Sequence, residues 1–422
     1  MERNPVAIVL GGTVPHCYLI QSLKKRGYHT VLIDYTQNPP AKEFADEHVK
    51  ESTLDKEVIL RIAQEKNAAL VISTNVDQAN VTCCYVAEQI SLPHPYSYET
   101  ALNVTDKIRM KQIMWDNNIP TSRYVMVKRL EDMKGVKMTY PLIIKPADSN
   151  SANGVKRVKS EAELIQFLPD ALRFSRNSSA IVEEFKEGKE ISAYGVVVNG
   201  KAKLIMHQER ISVYDGVDKV IKCYASLAPS RISENAVIRS ESLLTQIAQA
   251  FGLDNTPLFF QGIVHGDEIS VIEFAPRVGG GISFRTILDG TGFDMVSAGI
   301  DSFLGIHIET NDWHAMNHFY AVNQVYGENG IYDHTEGVDC LLQDDIVQSF
   351  SFYKSKGDVI DSSRASSSRI GVMIVSGSTQ DELRKKITTA FSTLDSFDIN
   401  GKSIIRRDLN LDLLWETAYT NS

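Results

Sequence analysis

The sequence predicts a protein of mixed α/β and α+β class built from two or three domains, and three observations carry that reading. Its 422 residues exceed what one typical core holds. The first hundred residues alternate continuous apolar runs with helical periodicity, the rhythm of a buried parallel sheet covered by helices. The last hundred instead hold strand-like runs around a Ser/Arg-rich loop and one helical stretch, an α+β pattern.

Composition narrows the function classes. Hydrophobic residues at 43% and charged residues at 23% are globular values. The net charge of −9 provides no basic field to attract nucleic acid, so an anionic ligand would need local Lys, Arg or a cation. The five cysteines lack metal spacing, as expected of reduced thiols in a cytoplasmic protein. No apolar run approaches the ~20 residues of a membrane span, and the N-terminus does not read as a signal peptide. The expectation is a soluble, cytoplasmic chain with neither nucleic acid nor membrane as partner.

Taken in order, residues 6–10 (Val-Ala-Ile-Val-Leu) read as a strand buried on both faces. Gly11-Gly12-Thr13 follows, then a helix from about 15 to 26 closed by Gly27, then a strand over 30–34 ending in Asp34. This resembles the opening of a Rossmann unit, with Asp34 placed to meet a ribose hydroxyl. The turn nevertheless lacks the G-x-G-x-x-G spacing of dinucleotide binders. Further helices near 55–66 and 77–90 flank a strand over 69–73. Thr105 reads as the N-cap of a helix reaching about Asn117. Lys107 then falls in its first turn, where a cation opposes the helix dipole and either serves an anion or stays solvated.

Residues 141–146 are a short buried strand containing Lys145, followed by a small-residue loop through Gly154 whose N–H groups can cradle phosphates. A helix near 160–172 precedes the strand 180–185, which leads through Lys186-Glu187-Gly188-Lys189-Glu190 into a second strand, 191–198. Residues 233–251 form an amphipathic helix stopped by Gly252, with Val237, Leu244, Ile247 and Phe251 facing the core. Two alternating runs then flank His265-Gly266-Asp267-Glu268, the signature of a hairpin. On its second strand Ile272 and Phe274 face one way and Glu273 the other, within reach of Gln261 on the first strand. Arg277 and Gly279-Gly280-Gly281 follow. Oxygen ligands, a guanidinium and a glycine-rich exit suit Mg²⁺ and phosphate; an ordinary hairpin with a surface carboxylate fits the same residues.

The order of these pieces resembles the ATP-grasp superfamily: a lysine at a helix start, a strand-borne lysine before a small-residue loop, E-E-F-x-x-G-x-E, and Gln…Glu-x-x-x-Arg. Within it the pattern is most similar to carboxylate–amine ligases of the L-amino acid (dipeptide) type, with a metal motif like that of carbamoyl-phosphate synthase. The resemblance implies a Rossmann-like pre-ATP-grasp domain over 1–103, an ATP-grasp domain over 104–315 and an α+β lid over 316–422. It further implies ATP with Mg²⁺ (or Mn²⁺), carboxylate and amine substrates such as amino acids, and a homodimer. Lys107 and Lys145 would contact ATP phosphates under a flap containing Ser149, Ser151 and Gly154. Glu183 would accept from the adenine amino group, with Glu184, Phe185 and Lys186 completing the hinge and Glu190 on the ribose. Gln261 and Glu273 would hold the metal and Arg277 would act catalytically. Gly279, Gly280, Gly281 and Arg285 would hold the substrate carboxylate.

Two positions depart from the common pattern. Gln261 stands where many members have a carboxylate, and Ala275 stands where an asparagine often ligates metal. The expected reaction is amide formation through an acyl phosphate, releasing ADP and phosphate. Rival readings are a carboxylase or carbamoyl-phosphate-like enzyme using bicarbonate, and an ATP-binding module with weakened catalysis. His334 and Arg364 are read as surface or loop residues rather than site residues.

Overall fold

The computed structural model describes residues 4–148, 154–175, 177–215, 220–311 and 313–407. Its first unit runs β1 (Val6–Leu10), α1 (Val14–Lys25), β2 (His29–Ile33), β3 (Glu47–Val49), α2 (Lys56–Glu65), β4 (Ala68–Ile72) and α3 (Asp77–Gln89). The parallel sheet has the order β3-β2-β1-β4. Ala7 to Leu10 and Val31 to Ile33 are completely buried, as their unbroken apolar runs require. Asp34 is not offered to a ribose. Its two oxygens accept backbone N–H groups from Gly12 (2.8 Å) and Thr36 (2.8 Å), so the carboxylate ties off the turn.

Two short helices follow, α4 (Tyr98–Thr105) and α5 (Lys107–Asp116). Thr105 therefore ends one helix rather than capping the next. The cap is Asp106, whose carboxylate accepts from the N–H groups of Ile108 and Arg109 at 2.9 and 3.1 Å. An aspartate competes for this role as well as a threonine does, and only the α4 turn decides between them.

A small antiparallel sheet comprises β5 (Tyr124–Val127), β6 (Leu142–Pro146), β7 (Lys156–Val158) and β8 (Ala180–Glu184), in the order β5-β8-β6-β7, backed by α6 (Glu161–Phe174). The central sheet then begins with β9 (Lys189–Val198), β10 (Lys201–Asp215) and β11 (Val220–Ala228). The helix α7 (Glu234–Phe251) is capped by Ser233, which accepts from Ala236 N–H, and ends on Gly252 at φ +62. The hairpin β12 (Thr256–His265) and β13 (Glu268–Ala275) turns at Gly266 with φ +59. Helices α8 (Ser283–Thr291) and α9 (Met295–Leu304) follow.

The C-terminal part holds β14 (Phe319–Tyr326), β15 (Gly330–Glu336), α10 (Val338–Gln343), β16 (Ser349–Phe352), β17 (Val359–Ile360), β18 (Arg369–Gly377), α11 (Gln380–Thr393) and β19 (Asp395–Asp398). Rather than standing off, β14, β18 and β16 extend the central sheet, whose order is β13-β12-β9-β10-β11-β14-β18-β16. The join is a regular antiparallel pairing of β11 with β14, Ala225 opposite Asn323. Across 315/316 the chain therefore passes from α9 into a strand of that same sheet, and Tyr320 and Val322 share a core with α8 and α9.

The two faces of the central sheet are packed differently. Leu244, Ile247 and Phe251 of α7 cover one face against Phe260 and Phe274. The other face carries Tyr194, Phe259 and Ala275 and shares one core with α8, α9 and the N-terminal unit. Arg26 of the N-terminal unit also pairs with Asp301 at 2.6 Å. Among the described residues no helix is long and apolar enough to cross a membrane.

Candidate active site

The register of the central sheet sets the site. Glu273 on β13 lies directly opposite Gln261 on β12, Gln261 opposite Ser192 on β9, and Ser192 opposite Gln208 on β10. Directly opposed residues of antiparallel strands share a face, so four polar side chains cross four strands in one row. Glu190 and Tyr194, two residues either side of Ser192, lie on the same face. Phe274 points the other way into the α7 core, which leaves Glu273 free to face the cleft.

Cations converge on this row from three directions. Lys107, the first residue of α5, donates to Glu273 Oε2 at 2.6 Å. Lys145 on β6 donates to Glu183 Oε1 at 2.6 Å; its strand partner is Ile181, so it sits diagonally beside Glu183 on the same sheet face. Arg277, just past β13, grips Asp77 of α3 with Nε at 2.5 Å and Nη2 at 2.9 Å, and donates Nη1 to the Val278 carbonyl at 2.8 Å. Asp77, Lys107, Glu273, Ala275 and Arg277 line one cleft between the N-terminal unit and the hairpin.

The charges stabilise one another's ionised forms. The Lys107 ammonium holds the Glu273 carboxyl down to about 2, outweighing burial, with Lys145 and Arg210 adding to it. Burial works to raise the Glu183 carboxyl, but Lys145 and Lys111 prevail and hold it at about 2. The stability this gives is present above the ordinary carboxyl value of 4.5 and lost as pH falls towards 2. Urea midpoints measured from pH 6 down to ~2 are therefore expected to fall more steeply for the native chain than for Glu183→Gln. Parallel curves would refute this assignment.

Several expected residues have partners within the chain. Glu190 accepts from Arg210 Nε at 2.7 Å and Ser212 Oγ at 3.3 Å. The N–H groups of Glu184 and Phe185 donate to the carbonyls of Arg123 and Pro141, and the Phe185 ring lies 3.9 Å from the Arg157 guanidinium. Lys186 is exposed. Gly154 sits at φ +74 against Pro146, while Ser149 and Ser151 lie outside the described residues.

Gly279 passes so close to the Tyr194 ring that an added Cβ would lie 2.3 Å from it, so the glycine is demanded by close approach. Gly280 and Gly281 are exposed, the latter at φ +66. Arg285 is turned towards the N-terminal unit, its guanidinium 5.4 Å from the Tyr18 ring centre and 3.7 Å from Asp289. His334 pairs with Asp333 and Glu336 at the surface, and Arg364 is exposed beside Asp361.

Sequence reasoning missed Asp77, Lys111 and the Tyr194–Gln208–Ser283 group. Gln208 Nε2 donates to Tyr194 O–H at 2.8 Å, and Tyr194 O–H donates to Ser283 Oγ at 3.1 Å. The one available signal for Lys111 was its place four residues after Lys107, on the same helix face. Nothing in the sequence pairs Asp77 with a residue 200 positions away.

A cation can be seated between Gln261 and Glu273, which present one neutral amide oxygen and one carboxylate from adjacent strands. Ala275 is 3% exposed and offers no ligand atom. Among the described residues no group of three His, Cys, Asp or Glu gathers elsewhere. The set fits a hard cation that takes its remaining oxygens from phosphate.

Lys145 on the small sheet, Lys107 at the start of α5 and Glu273 on the hairpin of the central sheet thus bring two cations near one carboxylate. The chain carries an ATP-grasp domain, matched over residues 138–285, and an L-amino acid ligase C-terminal domain 2, matched over residues 324–396. It is similar to a D-alanine--D-alanine ligase of Pediococcus pentosaceus, 38% identical over 26% of this chain and 30% of that protein. It is also similar to a formate-dependent phosphoribosylglycinamide formyltransferase of Sulfurisphaera tokodaii, 24% identical over 64% of this chain and 68% of that one. Among solved structures, an L-amino acid ligase from Bacillus licheniformis superposes with a TM-score of 0.80 at 17% identity, covering 94% of this chain and all (100%) of that one. A phosphoribosylglycinamide synthetase from Anaerococcus prevotii gives a TM-score of 0.75 at 19% identity, covering 94% and 100%. The matches thus show an ATP-grasp domain followed by an L-amino acid ligase C-terminal domain 2, and the solved structures share the fold.

Proposed function

We propose that the protein is an ATP-dependent carboxylate–amine ligase that joins small molecules, amino acids foremost, through an acyl phosphate. The supporting observation is the cleft that holds Lys107, Arg277 and Glu273, with Gln261 opposite Glu273 on the hairpin and Lys145 near enough for its charge to lower the Glu273 carboxyl. Phosphoryl transfer demands positioning and charge neutralisation more than a covalent protein nucleophile, and this cleft is made of fixed charge. Lys107 and Lys145 orient the polyphosphate. Gln261 and Glu273 would hold a Mg²⁺ or Mn²⁺, which would supply charge neutralisation to the phosphates when bound.

The substrate carboxylate oxygen attacks the γ-phosphorus and the bond to ADP breaks. Arg277 uses three of its five N–H donors on Asp77 and Val278, so two remain for the charge developing on the acyl phosphate. The amine nitrogen then attacks the acyl carbon, phosphate leaves, and the nitrogen gives up a proton. Glu183 to Lys186 and Glu190 would hold the adenosine, and the Gly279–Gly281 loop with Arg285 the substrate carboxylate. The L-amino acid ligase C-terminal domain 2 match favours amino acids as both partners.

Phosphate release measured across a matrix of amino-acid pairs, with mass spectrometry of the products, tests the assignment. A dipeptide formed in step with phosphate is the expected result. Release driven by bicarbonate without any amine would overturn it in favour of a carboxylase, and Mg-ATP binding without release would leave a binding module.

A further inference from the structure

Lys111, which with Lys145 keeps Glu183 ionised, is one of the most deeply buried charges among the described residues. Its side chain is 2% exposed, and its ammonium lies 3.0 Å from Glu183 Oε2. The same ammonium donates to Thr121 Oγ1 at 2.8 Å, and that hydroxyl donates to the Val271 carbonyl of β13 at 2.8 Å. Lys111 thus fastens α5, β8 and the metal-side hairpin together. Burial depresses its pKa and Glu183 draws it part of the way back, as for a cation that depends on its partner.

Glu183 therefore holds two ammonium groups, Lys145 on one oxygen and Lys111 on the other. With the Lys107–Glu273 pair, three cations face two carboxylates, a surplus of one positive charge suited to an incoming phosphate chain. The two lysines on Glu183 are not equivalent. Lys145 is the more open at 11% and is the one that turns to a phosphate, whereas Lys111 is sealed in and tethered to Thr121.

Resting on the reading that this cleft binds ATP, we propose that Lys111 is a specificity-determining positioning residue. It keeps Glu183 an anionic hydrogen-bond acceptor after Lys145 leaves for the phosphates, and so sets a preference for a 6-aminopurine over a 6-oxopurine nucleotide. An ionised carboxylate accepts from an exocyclic amino group and repels a carbonyl oxygen. Left alone in a buried site, the same group takes up a proton, becomes a donor and accommodates either base.

The test is calorimetric binding of non-hydrolysable ATP and ITP analogues to the full chain with Mg²⁺. The native protein is expected to prefer the adenosine form by about 10–10²-fold, one mismatched buried hydrogen bond. Lys111→Met should shrink that ratio to within about threefold, and Lys111→Arg should restore most of it. Thr121→Val, which removes only the hydroxyl partner, carries the same test in milder form if Lys111→Met fails to fold. Equal weakening of both nucleotides with an unchanged ratio would make Lys111 a structural residue and overturn the proposal. So would a native chain that does not discriminate. Native protein that binds neither nucleotide refutes the ATP-site reading itself, a distinguishable failure.

Discussion

Glu273→Ala is expected to lower ATP-dependent phosphate release by at least ~10²–10³-fold while the protein stays folded. Glu273 is the sole charged side chain of the oxygen pair, since its partner across the hairpin is the neutral Gln261. Ala275 offers no ligand atom, both oxygens of the Asp77 carboxylate in the same cleft accept from Arg277, and among the described residues no His, Cys, Asp or Glu trio could recruit the ion. The substitution also frees the Lys107 ammonium from its 2.6 Å bond and so disturbs the phosphate-facing cations. The fold should tolerate the change, because Glu273 keeps 38% of its side chain exposed and Phe274 beside it still anchors the strand in the α7 core. Phosphate release and a thermal melt on the same preparation settle the matter. Turnover within tenfold of native, at unchanged melting temperature, would show that the hairpin carboxylate is not where the cation sits.

Arg277→Met should reduce kcat by ~10²–10³-fold with KM for ATP close to native. This guanidinium is held too firmly to be a general surface charge: it is 8% exposed, doubly bonded to Asp77, and 5.2 Å from the Phe259 ring centre. Such fixing is what a group needs to meet charge that exists only at the transition state, because no reorganisation is then required. Asp77→Asn should give a smaller loss of the same kind, since an amide keeps one acceptor but not the charge. A mutant whose KM for ATP rises while kcat stays native would instead place Arg277 on the nucleotide ground state. Its loss leaves Asp77, 31% exposed, able to turn to water, so stability should change little.

The two halves of this site were legible to different degrees. Strand periodicity put Glu273 on the face opposite Phe274, and the hairpin turn made Gln261 its neighbour, because register within a hairpin is fixed by its loop. Lys145 was legible as the polar residue closing an apolar strand. The partner of each cation was not. Lys145 finds Glu183 on the neighbouring strand 38 residues on, Lys107 finds Glu273 at a separation of 166 residues, and Arg277 finds Asp77 at 200. The long strands β10 and β11 also escaped, since Gln208, Glu209 and Arg210 interrupt the alternation that marks a strand. Their burial is offset by partners, such as Arg231 on Glu209 at 2.8 Å, that are distant in the chain.

By itself the sequence determined the alternating elements of the N-terminal unit, the amphipathic helix α7, where the hairpin folds, and which residue types the cleft receives, because those follow from local periodicity and turn chemistry. Only the tertiary structure decided which charges face one another, that Asp106 and not Thr105 caps the helix bearing Lys107, and that the C-terminal strands prolong the central sheet. Electrostatic pairing depends on distance in space, and the chain order of two residues carries no information about that until the sheets have formed.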